Sequence, residues 1–187
     1  MQMKIAVDTQ ILGSVYADAD SFNVGATAGF RSQSYNLGAT TTPISLTKAN
    51  VLDYIVDLGV VLTEQNIPDE DRWIVLPAWA CGLIKKSDLK DASLTGDGKS
   101  ILRNGRIGMI DNFTIFSSNN LTPVLDTVYC YNIMAGHKSA ISFASQLVNM
   151  EQLRNPNDFG DIVRGLHVYG FKTIKPQALA VLYATKG

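Results

Sequence analysis

The chain has 187 residues, a formal net charge of −1 and only 18% charged residues, so it lacks the basic footprint of a protein that grips nucleic acid through its phosphates. Its length suits one domain, or one domain with an appended piece, and no apolar run approaches the ~20 residues of a membrane span. Cys81 and Cys130 sit beside apolar residues with no close partner in sequence, which suits buried thiols in a reducing cytosol. The N-terminus lacks signal-peptide organisation, so a soluble chain outside the export routes is expected.

In chain order, Met3, Val7, Ile11 and Val15 recur every four residues and predict a helix over 2–18. No Ser, Thr, Asp or Asn stands in position to cap it, which suggests the distal part of a longer helix in a longer natural protein. Residues 21–42 are rich in Gly, Ser, Thr and Ala, with Phe22, Phe30 and Tyr35 as large anchors, and read as an extended loop or irregular hairpin closed by Pro43. Thr47 offers an N-cap for a helix through Val51, Tyr54, Ile55, Leu58 and Leu62, stopped by Asn66 and Pro68. Trp73 to Leu76 read as a short strand, and Pro77 opens a brief helix over 78–84. Residues 95–99 (TGDGK) have little to bury and predict a mobile loop. Residues 107–116 form a hairpin pattern around Asp111-Asn112, and a third strand follows over 128–134. No internal repeat is visible.

The run from Gly136 to Leu182 shows two periods. Ala140, Phe143, Ala144, Leu147 and Met150 fall at helical spacing and predict an amphipathic helix whose apolar face needs a partner. Beyond a polar turn, Leu166, Val168 and Gly170 alternate with His167, Tyr169 and Phe171, which predicts a strand covered on both faces.

Candidate chemistry is sparse. Residues 93–100 (SLTGDGKS) nearly fit a phosphate-binding loop, but Ser93 replaces its first Gly, the upstream stretch is polar, and Gly105 leaves little room for the following helix. A surface loop is the better reading. His137 and His167 lack the partners of a metal or catalytic cluster, and no GxSxG elbow is present. Asp69, Glu70 and Asp71 are adjacent carboxylates on a turn rather than a converging pair. Tyr129 and Tyr131 share a strand face with no Lys or Arg nearby, which favours packing over base stacking. No catalytic, cofactor-binding or metal-ligating residue is therefore assigned, and an enzyme is not expected.

Specific residues also carry a family resemblance. Gly136-His137-Lys138, the Glu/Arg-rich turn Glu151–Arg154, Arg164-Gly165-Leu166, Tyr169-Gly170 and Pro176 before 178–182 resemble, in order, the C-terminal region of major capsid proteins of tailed bacteriophages, the Hong Kong 97-like fold. Further matches are Asn50–Asn66 with Pro68, Val75–Pro77, Asn104–Gly108, Phe113–Phe116 and Ser118–Leu121, so the resemblance covers most of 47–182. It implies an α+β fold with a mixed sheet flanked by helices. Residues 1–46 would be the end of a spine helix and a connecting loop of the peripheral domain, 47–160 the axial domain, and 161–187 return strands to the peripheral domain. The family's N-terminal arm and extended loop have no counterpart, so a fragment is expected.

The implied function is that of a structural subunit that self-assembles into pentamers and hexamers enclosing double-stranded DNA, located in the virion and, before assembly, in the host cytoplasm. Implied partners are further copies of the chain, scaffolding and portal proteins, and packaged DNA bound without sequence specificity. Alternatives are a phage tail or decoration module using Trp73, Trp79 or the tyrosines, and a small nucleotide-binding enzyme using 93–100. Glu151, Arg154, Asp158, Asp161 and Arg164 alternate in sign within a charge-poor chain. They are either a subunit interface steered by complementary charge or a solvated turn with internal ion pairs. The return path also implies that the last strand lies near the 2–18 helix and that the chain ends are neighbours.

Overall fold

Residues 178–183 (ALAVLY) are apolar without a break, the pattern of a strand buried on both faces, and they lead an interior strand of the main sheet. The computed structural model describes residues 2–87, 109–155 and 158–187. Its elements are α1 (Gln2–Leu12), β1 (Ile44–Leu46), α2 (Val51–Glu64), β2 (Arg72–Leu76), α3 (Ala78–Lys86), β3 (Met109–Ile110), β4 (Phe113–Ser117), β5 (Val124–Asp126), β6 (Val128–His137), β7 (Ile141–Arg154), β8 (Asp161–Thr173) and β9 (Leu179–Lys186). Short 3₁₀ turns stand at Val15–Asp18, Ser21–Asn23 and Pro176–Ala178.

The main sheet runs β1-β9-β6-β2-β4-β3, with β5 hairpinned onto β6. It is mixed: β1 with β9 and β2 with β4 are parallel, and the other pairs are antiparallel. Alternation then divides the core. Ile133 and Ala135 of β6, with Ala180, Leu182 and Ala184 of β9, meet Ile55, Leu58 and Leu62 of α2 and Ile84 of α3 on one face. Met134, Leu179 and Val181 point the other way, onto Val15 and Leu121.

Several expected elements are present. Helix α2 ends where Asn66 takes a left-handed φ of 57°. There the Asn66 N–H donates to Thr63 and the Ile67 N–H to Leu62, at 2.9 and 3.2 Å, a Schellman closure that Pro68 prevents from continuing. Its start differs, because Asn50 occupies the cap position and its Oδ1 accepts from the Thr47 N–H at 2.7 Å. The Asp111-Asn112 turn has φ of 47° and 63°, the paired left-handed geometry that lets a two-residue loop join twisted strands. Residues 107 and 108 of that expected hairpin, and the 95–99 loop, lie outside the described residues.

Other expectations are corrected. The 2–18 helix ends at Leu12, and Val15–Asp18 forms a separate 3₁₀ turn that buries Val15. In the 21–42 loop the core anchors are the small Ala28 and Leu37, whereas Phe22 and Phe30 pack edge to face at 5.3 Å on the surface. The amphipathic helix expected over 140–150 is strand β7. Ser142, Ser145 and Asn149 weaken a helix there, and β8 offers cross-strand partners from Ile141↔Thr173 to Arg154↔Asp161. Gly136-His137-Lys138 is correspondingly the end of β6 and a turn, not a helix start. Gly136 is required there, since a Cβ would stand 2.7 Å from the Ala178 carbonyl oxygen.

The strands form two sheets. β7 and β8 pair across residue 160, and β9 lies in the main sheet between β1 and β6. Ala178, Leu179 and Val181 pack with Val15, so the start of the last strand does lie against the 2–18 segment. Its end does not, because the Gly187 N–H donates to Leu46 at 2.9 Å; Met1 lies outside the described residues.

Candidate functional site

The candidate surface is the β7–β8 ribbon. It forms because residues 141–154 and 161–173 pair as two extended strands over their whole length. The Asn155 N–H donates to the Gly160 carbonyl at 2.9 Å to close the tip. Strand rise makes a 13-residue arm about 43 Å long. A bulge between Leu147 and Asn149 shifts the register once, so the rows that face one way change partners beyond it.

One face meets the body at its base. Tyr169 hydroxyl donates to the Gln10 side chain, Thr173 hydroxyl to Asp18 at 2.8 Å, and Ile141 and Phe171 pack on the Val15 cluster. The opposite face carries Val168, Leu166, Arg164 and Ile162 of β8 beside Gln146, Asn149, Glu151 and Leu153 of β7. Beyond the base both faces are open: Leu147, Met150, Val163, Leu166 and Val168 are 51–65% exposed. The expectation of a strand covered on both faces therefore fails within one chain.

All five charges singled out from the sequence lie at or near the ribbon tip, and all are exposed. Glu151 and Arg164 stand opposite each other, with Arg164 Nε and Nη2 donating to one Glu151 oxygen at 2.9 and 2.6 Å. Asn149 Nδ2 donates to the other oxygen at 3.0 Å. Asp161 accepts from Gln152 at 2.7 Å, and Asp158 accepts from the Phe159 N–H at 2.7 Å. Arg154, opposite Asp161 in register, has no ion-pair partner among the described residues. A concavity of about 310 Å³ is lined by Asn149, Glu151, Arg164, Gly165 and Leu166. Sequence reasoning had these charges but placed them on a turn; the pairing of residues 13 apart was the missed element, and the alternation in β8 was its signal.

The other residues weighed from the sequence make the following contacts. His137 is buried and its Nδ1 lies 2.8 Å from Ser139 Oγ, while His167 stacks on Tyr169 at 5.6 Å. No group of three or more metal-ligating side chains occurs among the described residues. Asp69 pairs with Arg72 at 2.7 Å, and Asp71 pairs with Lys138. The hydrogen bond and charge of Lys138 hold the Asp71 carboxyl below its ordinary value and raise Lys138 in return. Tyr131 packs on Trp79 at 5.8 Å, whereas Tyr129, expected to pack with it, is exposed. Cys81 and Cys130 are buried free thiols, and burial pushes Cys81 up. Residues 93–100 lie outside the described residues. No helix among the described residues is long and apolar enough to cross a membrane.

Comparison with known proteins bears on the fold. No family model and no curated protein matches the chain. A solved structure from Mycobacterium phage Che8 is 27% identical with a TM-score of 0.71, aligning 96% of this chain with 58% of that one. The capsid structure of the cyanophage P-SCSP1u and the asymmetric unit of the bacteriophage PhiM1 mature capsid are each 14% identical, with TM-scores of 0.67 and 0.63. They cover 100% and 98% of this chain and 63% and 62% of their own. The chain thus spans about three-fifths of the length of the structures it matches. It has the Hong Kong 97-like phage capsid fold, an α+β arrangement of a mixed sheet flanked by helices, as the resemblance implied.

Proposed function

We propose that a protein carrying this chain is the structural subunit of an icosahedral phage capsid, self-assembling into pentamers and hexamers around double-stranded DNA. The observation that carries this reading is the ribbon. A two-stranded ribbon with apolar side chains open on both faces and two unpaired edges is marginal in water and prone to sticking, so its natural state is one covered by neighbours. With a net charge of −1 the chain would enclose DNA rather than grip it.

The main sheet with α2 and α3 then serves as the axial domain, while α1 and the ribbon belong to the peripheral domain. Copies of the chain are the principal partner, with scaffolding and portal proteins as transient or singular ones. The site of action is the virion, after a period in the host cytoplasm. Electron microscopy of the complete gene product, alone and with a scaffolding partner, tests this. Regular shells support the reading, and persistent monomers under all conditions overturn it.

A further inference from the structure

The geometry points to a specific self-contact: the outer face of the ribbon packs on the same face of a second copy about a two-fold axis parallel to the strands, with Glu151 of each copy set over Arg164 of the other. The inference rests on the self-assembly reading above and adds to it a partner face and a register.

The argument begins with which face is free. Strand alternation puts Arg164 on the opposite side from Tyr169 and Thr173, whose hydroxyls are tied to Gln10 and Asp18. The outer face is therefore the one turned away from α1 and the turn at Val15–Asp18. Its side chains come in cross-strand rows: Leu153 with Ile162, Glu151 with Arg164, Asn149 with Leu166. The charged row stands between the apolar Leu153–Ile162 row and Leu166 with its Asn149 partner, and Lys172 lies on the same face near the base.

Symmetry selects the docking mode. A two-fold axis across the strands would set Glu151 over Glu151 and Arg164 over Arg164, and like charges so juxtaposed oppose contact. An axis along the strands keeps each row over itself and exchanges its two ends. Glu151 then meets Arg164 of the second copy, Leu153 meets Ile162, and Leu166 meets Asn149. The second copy's Leu166 enters the concavity of about 310 Å³ beside Gly165. Facing sheets pack about 10 Å apart with strands within ~30° of each other, which leaves a row near the crossing point in register. The intrachain pair also makes the face fit for burial. Glu151 accepts from Asn149 and twice from Arg164, so the row enters the contact already neutral and hydrogen-bonded.

Mixing two charge variants tests the contact. Glu151→Arg leaves two cations in the row and Arg164→Glu leaves two anions. Each alone is expected to lose self-association by roughly a hundredfold in sedimentation velocity, because four like charges meet. An equimolar mixture of the two is expected to recover it as a heterodimer, cations over anions, with a steep decline as salt rises. Circular dichroism of each variant checks that the sheet is intact. Recovery on mixing supports the contact. Losses in both variants without recovery assign the pair an intrachain role and overturn it, as do variants that associate like the unaltered chain; the self-assembly reading survives both results. An unaltered chain that stays monomeric at millimolar concentration overturns the contact, and the assembly reading is then decided by the complete gene product.

Discussion

Excising the ribbon should separate folding from association. Ile141 and Thr173 are opposite partners at its base, so joining them through an Asn-Gly turn closes the chain in the geometry a two-residue hairpin prefers. The variant loses the Tyr169–Gln10 bond and the half-buried Phe171, worth about 1–2 kcal/mol together, or ~2–8 °C in midpoint for a chain of this size. The α2 side of the core contains no ribbon residue and should be unaffected. Association is another matter. Leu153, Ile162, Leu166 and Val168 on the outer face are each about half exposed. Covering such a side chain recovers about 1 kcal/mol, and eight of them across a symmetric pair recover about 8 kcal/mol. That sum stands against an association cost of ~4–15 kcal/mol, so a single contact is weak, of roughly millimolar affinity at best, and gains strength only when many form together. Sedimentation velocity over a concentration series should show reversible self-association for the intact chain and a monomer for the excised one. Equal association in both would refute the argument, and an unfolded excised variant would refute the independence of the sheet.

Two further perturbations probe the fold that carries the ribbon. Arg72 is 2% exposed, and its guanidinium donates to the carbonyls of Gly59, Ile67 and Pro68 and to Thr63 Oγ1 at 2.7–3.0 Å, clamping the loop after α2. Arg72→Met fills the space but leaves the Ile67 and Pro68 carbonyls without that donor, so a loss of about 2–4 kcal/mol in urea unfolding is expected; a loss under ~0.5 kcal/mol would contradict the clamp. The exposed Asp71–Lys138 pair predicts a pH signature. Asp71 is depressed, so its contribution is complete above its ordinary value of 3.8 and fades as pH falls through the depressed value. Lys138 is raised, so its contribution is complete below 10.5 and fades as pH climbs through the raised value. Thermal midpoints of the unaltered chain and Lys138→Met should therefore differ most at neutral pH and converge in strong acid and strong base; a gap unchanged at pH 3 would contradict the linkage.

What was legible in the sequence is what local chemistry decides. Asn66 and Pro68 terminate α2 because one tolerates a left-handed φ and the other cannot donate, and Asp111-Asn112 makes its turn for a related reason. The strand ALAVLY needs no partner to be recognised as buried. Residues 140–150 lack such markers. Ala140, Phe143, Ala144, Leu147 and Met150 satisfy a helical period, and Ile141, Phe143 and Leu147 satisfy an alternating one equally well. The choice between them is made across the ribbon, by the hydrogen-bonding edge of β8. The five charges were visible for the same reason that their arrangement was not: composition marks an isolated charged cluster, whereas only strand pairing sets Glu151 against Arg164 on one face and puts Arg154 and Asp161 on the other.

That residues 141–150 form a strand rather than a helix has a physical consequence. A helix with one apolar face can bury that face against its own domain, and the sequence would then describe a self-sufficient subunit. A ribbon cannot do this, because consecutive side chains alternate between faces, and covering one leaves the other open. Here the body covers part of one face at the base, through Ile141, Phe171, Tyr169 and Thr173, and the remaining apolar rows stay in water. Such a surface is costly to a chain that works alone. Once the element is a strand, the absence of catalytic constellations among the described residues ceases to be the chief clue to function. The exposed rows of the ribbon take its place, since they set the geometry that any neighbour must match.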